Sequence, residues 1–307
     1  MSDERDLVGY GGRPPEIRWP NGARLAVSVV LNFEEGAELQ VGDGDAASER
    51  VGEVASVVAP GARDRGQEQL FAYGMRAGLW RMLDALERHR LPATILFCGR
   101  AVERVPALAA AAVAGGRHEA ACHGWRWRPH ADYAEPAAER ADLVRCLDVT
   151  ERATGQRPRG FFCRGAESAW TRPLLAELGF AYAANAFDDD LPYWDPNGLV
   201  VLPYALDTND MKFFHPNGFV RSRELVDYVD DALEILLAEA GRGRSAMLTL
   251  GFHLRISGRP ARMRAFEAIL ARLAGLGDRI WCARRIDIAE AFRAAHPDPQ
   301  PHNQQGA

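Results

Sequence analysis

Short β-rich apolar runs recur along the chain, separated by stretches with apolar residues three or four apart. The runs Leu25–Leu31, Ala93–Cys98, Glu119–Cys122, Gly160–Cys163, Phe180–Ala184, Leu199–Leu202 and Ala246–Leu250 read as strands. Met75, Leu79, Met82, Leu83 and Leu86 share one helical face, as do Leu143, Leu147 and Thr150 ahead of Gly155, a suitable C-terminal cap. Further helices are expected to begin near Thr171, Ser222 and Pro260, and another covers Ile286–Ala295. Strands alternating with helices imply parallel strands joined by crossovers. The expectation is one α/β domain over residues 1–295, a distorted (β/α) barrel of about seven strands, although an open doubly wound sheet fits the same alternation. In both, chemistry belongs beyond the carboxyl ends of the strands. No GxGxxG follows the first strand, which argues against a dinucleotide site.

Three segments fall outside the repeat: an extended arm over 1–22, a long loop over 37–70 whose Ala37–Gly66 part is rich in Gly and Ala, and a flexible tail over 296–307. Connections as long as this loop are usually functional or mobile, so it is expected to be a lid or an oligomer contact. The net charge of −5 and pI near 5.9 offer no basic field, so neither nucleic acid nor an anionic membrane is expected as a partner. No apolar run approaches the roughly 20 residues needed to span a bilayer, and the start lacks a signal-peptide pattern, so a cytoplasmic location is expected. Cys98, Cys122, Cys146, Cys163 and Cys282 are odd in number and contain no CxxC, which argues against a disulfide framework or a thiolate zinc site. A catalytic thiol at Cys98, Cys122 or Cys163 would need an activating base.

Polar groups cluster at the strand ends. Glu34 and Glu35 follow the first strand beside Gly36, and adjacent carboxylates can be driven to different pKa values. His123 ends the third strand and precedes Trp125 and Trp127. Arg164 follows Gly160–Cys163, where its fork of donors could orient a carboxylate. His253 follows the strand from Ala246, where it could protonate a leaving nitrogen. Each alone could be a solvated or core residue; their convergence on separate strand ends is the stronger observation.

These residues also carry a resemblance. Asn32-Phe33-Glu34-Glu35-Gly36 resembles the first motif of the polysaccharide deacetylase superfamily (NodB-homology, carbohydrate esterase family four), normally TFDDG. The run from His123 to Trp127 resembles its second motif, and Arg164 and His253 fall where later motifs place a base-steadying arginine and an acidic histidine. RDLVGYGG, RPPEIRWP, FDDDLPYW, LPYALDTNDMKF and HLRISGRPAR together resemble the cofactor-independent allantoinase branch. The resemblance implies ring opening of allantoin or a related cyclic ureide, a small-molecule substrate, purine catabolism and a homo-oligomer such as a tetramer. In this reading Glu34, with Glu35 beside it, activates water, Arg164 holds that carboxylate ionised, His123 binds the carbonyl oxygen and His253 protonates the leaving nitrogen. Trp125, Trp127, Tyr193, Asn209 and Asp210 are the expected substrate contacts, with Asp188–Asp190 as further candidates.

Two departures matter. Trp127 stands where the usual metal centre has a second histidine, and an indole has no lone pair for a metal. A zinc site on Glu35 and His123 would then need His130 or another group, so no cofactor is expected; the alternative is a zinc-dependent N-deacetylase acting on a sugar or peptidoglycan-type substrate. The run Arg164–Thr171 differs from the branch pattern, and Glu167 and Trp170 are expected to shape the pocket wall differently. A third possibility, an inactive binding module, is disfavoured because both carboxylates, Arg164 and His253 are retained.

Overall fold

The computed structural model describes residues 5–298. Every residue of β1 (Leu25–Phe33) is buried, as expected of a central strand covered on both faces. It pairs in parallel with β8 (Ala246–His253) along one edge. Its other edge is shared by β2 (Thr94–Phe97) and β9 (Trp281–Cys282). The sheet continues through β3 (Glu119–Cys122), β4 (Gly160–Phe161), β5 (Tyr182–Ala183) and β7 (Val200–Val201), ending at β6 (Tyr193–Trp194), which alone runs antiparallel.

This is the expected α/β architecture, curled into a half-barrel. The sheet has nine strands rather than about seven, because the two-residue strands β6 and β9 are too short to show periodicity. Between β7 and β8 the barrel wall is completed by irregular chain. Asn209 bridges to Gly251, Thr208 Oγ1 donates to the Thr249 carbonyl at 2.8 Å, and Thr249 Oγ1 donates to that of Pro203 at 3.1 Å. The buried Arg285 guanidinium donates to Thr249 Oγ1 and to the Leu202 carbonyl, both at 2.6 Å.

The helices are α1 (Arg65–Tyr73), α2 (Leu79–His89), α3 (Gly99–Arg104), α4 (Pro106–Ala112), α5 (Pro136–Thr154), α6 (Thr171–Glu177), α7 (Ser222–Gly241), α8 (Pro260–Leu276) and α9 (Arg285–Ala295). α1 corrects the expected loop: Asp64 caps it by accepting from the Gln67 amide at 3.0 Å, so residues 65–70 are helical. α3 and α4 are not expected from the sequence, since α3 is only six residues long and the Ala-rich α4 carries little apolar periodicity. A π-helical segment, Gly74–Gly78, joins α1 to α2. A Cβ on Gly78 would lie 2.0 Å from the Leu254 carbonyl oxygen, so only glycine lets this helix approach the chain leaving β8. Of the arm, residues 5–22 have no regular structure, yet Ile17 and Trp19 are buried in the core. Residues 1–4, and all but 296–298 of the expected tail, lie outside the described residues.

Candidate active site

Glu34 and Glu35 follow β1 directly, and both are buried. Glu34 is enclosed by three nitrogen-bearing side chains. His123 Nε2 lies 3.2 Å from its Oε2, His253 Nε2 lies 3.7 Å from its Oε1, and Arg255 Nη1 donates to Oε1. Glu35 turns elsewhere: its Oε1 accepts the Arg255 amide at 2.8 Å, and Arg255 Nη1 is 3.6 Å away.

These surroundings split the pair. Burial disfavours charge on Glu34, but Arg255, His253 and His123 outweigh it and hold the carboxyl well below its usual range. Burial dominates at Glu35 and pushes it up to about 7, with Arg255 opposing and the Glu34 charge reinforcing. Near neutrality Glu34 is therefore an anion while Glu35 is close to half protonated.

His253 ends β8. Its Nδ1 donates to Asp210 Oδ1 at 2.6 Å and its amide to Oδ2 at 2.8 Å, while Ser257 Oγ donates to Oδ2 at 2.7 Å. Burial alone would lower the His253 pKa, but the carboxylates of Glu34 and Asp210 raise it. Asp210 is thus the support behind the imidazole and is buried away from the cavity, in contrast to the expected substrate contact.

His123 stands just beyond β3, where Gly124 adopts a φ of +74° and a Cβ would sit 2.6 Å from His130 Nε2. The His123 Nδ1 donates to the Phe162 carbonyl at 2.6 Å and its Nε2 faces Glu34. Both ring nitrogens are therefore engaged, and neither is left to hold a substrate carbonyl as expected.

Arg164 is placed differently from expectation. It pairs with Glu49 of the long loop, at 2.5 Å, and stacks over Trp127 at 3.8 Å. The cation that steadies Glu34 is Arg255, which lies against the rings of Phe71 (4.2 Å) and Trp127 (4.8 Å). Arg255 lies two residues beyond His253 in the same HLR run, and that spacing was the available signal.

A cavity of about 360 Å³ opens over this cluster, lined by His123, His253, Trp127, Arg164 and Asn209 among others. Trp125 is not on its wall; it packs in the core with the Arg145 guanidinium 3.7 Å over its ring. Tyr193 is also remote, bonded to Asp188 at 3.2 Å beside β6. Asp189 accepts the Asp190 and Leu191 amides, a local turn. Glu167 pairs with Arg172 at 2.9 Å and lies off the cavity wall, as does Trp170. Cys98, Cys122 and Cys163 are buried off the cavity, and burial pushes their thiols up, against a nucleophilic role.

The side chains present do not suit a divalent metal. Glu35 is turned onto the Arg255 amide, His123 Nε2 is turned onto Glu34, and His130 Nδ1 is held by Glu139 at 2.8 Å. The Arg255 cation already lies against both carboxylates. Among the described residues, no three His, Cys, Asp or Glu side chains are arranged to hold one ion.

Residues 66–183 match the polysaccharide deacetylase family. A Schizosaccharomyces pombe protein that carries a provisional polysaccharide-deacetylase name is 32% identical over 325 residues, covering 97% of this chain and 99% of that protein. A crystal structure from Pseudomonas aeruginosa PAO1, also provisionally named a polysaccharide deacetylase, is 41% identical with a TM-score of 0.89, covering 96% of this chain and 99% of that one. The crystal structure of Puue allantoinase is 38% identical with a TM-score of 0.90, covering 97% of this chain and all of that one (100%). Among the described residues no helix is long and apolar enough to cross a membrane.

Proposed function

Because this chain belongs to the polysaccharide deacetylase family, we propose that it hydrolyses a ring amide in a hydantoin-type ureide such as allantoin, opening it to a ureido acid without a resident metal. The observation that carries this reading is the enclosure of the Glu34 carboxylate by His123, His253 and Arg255 beneath a small cavity. The full-length likeness to an allantoinase supports the choice of substrate class.

Glu34 is ionised and takes the proton of the attacking water. It has no opening of its own to the cavity, and its 3.7 Å approach to His253 is wider than its 3.2 Å approach to His123. Even the wider gap is too narrow to hold water in line, so the attacking water approaches from the cavity beside His253, which lines it, and the ring gives way to bring the water against Glu34 Oε1. His253, whose charged form Glu34 and Asp210 favour, then gives its proton to the departing ring nitrogen. Arg255 keeps Glu34 charged, as Arg164 was expected to do. Trp127 and Asn209 both line the cavity, the indole beneath the Arg164 guanidinium and the amide held by Tyr204 and the Met211 backbone. Cytoplasmic residence and homo-oligomeric assembly belong to the same proposal.

The test is turnover of allantoin, hydantoin and N-acetylglucosamine oligomers by purified protein, before and after chelation, beside a Glu34→Gln variant. Ureide opening that survives chelation and is lost in the variant is expected. Chelator-sensitive deacetylation of the sugar would replace this reading with the metal-dependent one, and no turnover of any compound would favour an inactive binding module.

A further inference from the structure

The sequence contains one lysine among its 37 lysine and arginine residues, and that residue, Lys212, lines the cavity. It sits on the 3-10 turn Asp210–Phe214, two residues beyond Asp210. Among the described residues its ammonium has neither an ion-pair nor a hydrogen-bond partner.

The charges around it explain why that freedom matters. Among the described residues no aspartate or glutamate lines the cavity. The other permanent cation on the wall, Arg164, is already neutralised by Glu49. Asp210, on the same turn, has its carboxylate occupied by His253 and Ser257. Glu34 is buried below and is matched by Arg255. Near Lys212 the wall is made by the apolar Leu206, Met211 and Phe214 together with Asn209 and His215, none of which carries a negative charge. A small cavity with one uncompensated positive charge favours a ligand that brings a negative one, since a charge-assisted contact there meets little competition from water.

We propose that Lys212 anchors an anionic group of the substrate, so that the cavity takes a small cyclic amide carrying a carboxylate. This rests on the amide-hydrolase reading of the site and narrows it: the ring meets Glu34 and His253, while the carboxylate reaches the lysine. A lysine suits the task because its ammonium is a compact charge on a flexible stem, able to follow a carboxylate that is not fixed to the ring plane.

Because the chain has a single lysine, reductive methylation with ¹³C-formaldehyde labels one side chain besides the N-terminus and leaves its positive charge in place. The probes are hydantoin-5-acetate and its neutral isostere hydantoin-5-acetamide. The Lys212 dimethyl signal is expected to shift on titration with the acetate and to stay in place with the acetamide. Binding of the acetate should be about tenfold to a hundredfold tighter, the range of one hydrogen bond to a charged group. Lys212→Gln should bring the ratio of the two affinities to about one, and Lys212→Arg should keep most of it. Equal binding of the two probes by the unsubstituted protein, or an unmoved signal, would overturn the proposal. The outcomes also separate the two readings. Acetate that binds at Lys212 but is never hydrolysed leaves the anchor standing and removes the hydrolase reading from this substrate class. Hydrolysis of both probes at equal efficiency in the unsubstituted protein does the reverse.

Discussion

Asp210 accepts two hydrogen bonds from His253, one from the ring Nδ1 at 2.6 Å and one from the backbone amide at 2.8 Å. The second bond fixes the carboxylate to the strand end, so the first fixes the ring, and Nε2 is left facing Glu34. Such a paired carboxylate orients an imidazole and favours its charged form.

Asp210→Asn is therefore expected to lower kcat by about 10²–10⁴-fold, the usual worth of a positioned proton donor. The pH profile gives the sharper test. Asp210 raises the His253 pKa, and the acid form is the working one, so activity falls as pH rises through that pKa. Removing the charge should move this basic limb to lower pH; an unmoved limb would show that His253 is not the titrating acid.

The two arginines should separate in the same measurement. Arg255 holds Glu34 well below its ordinary range, so Arg255→Met should move the acidic limb of kcat/KM to higher pH. Arg164→Ala removes the bond to Glu49 and the stack on Trp127, and should raise KM while leaving that limb in place. A shifted limb in Arg164→Ala would reassign the partner of the base.

Glu35 makes a prediction about stability. Its folded pKa near 7 lies above the ordinary 4.5, so between those values the folded protein binds the extra proton. Stability from this group accordingly falls as pH rises through that window. Glu35→Gln cannot ionise, so denaturant midpoints at pH 5 and pH 8 should show the variant gaining on the parent protein at the higher pH. A constant difference would place the Glu35 pKa near its unfolded value.

A fourth expectation concerns the loop after β4. Glu139 of α5 is buried and accepts His130 Nδ1 at 2.8 Å, with Ser168 Oγ and Thr171 Oγ1 each at 2.5 Å. Glu139→Ala strands these donors and should cost about 2–4 kcal/mol in chemical denaturation. A loss below about 0.5 kcal/mol would mean the loop finds other partners.

Alternating patterns are enough to place Glu34, His123 and His253 in one cluster, because each lies at or directly beyond the end of a buried strand and parallel strands deliver their ends to one rim. Arg255 was in view within HLRISG but was not singled out, since the chain has already left the strand and its turn has no period to read. Arg164 was located correctly beside the cavity and given the wrong partner. Its carboxylate, Glu49, comes from a Gly- and Ala-rich stretch whose path only tertiary contacts determine. Trp125 and Tyr193 belong to the HGWRW and FDDDLPYW motifs, but the left-handed turn at Gly124 and the short β6 pairing send them elsewhere.

The irregular segment before α1 supplies Val51 to the cavity wall and Glu49 to Arg164, yet gives nothing to the cluster around Glu34. Part of the cavity wall is thus written in a different stretch of the polypeptide from the proton-handling groups. Exchanging residues 40–60 alone could retune which molecule is accepted while the proton-handling groups keep their places, a division that lets one scaffold diversify by altering its least ordered stretch.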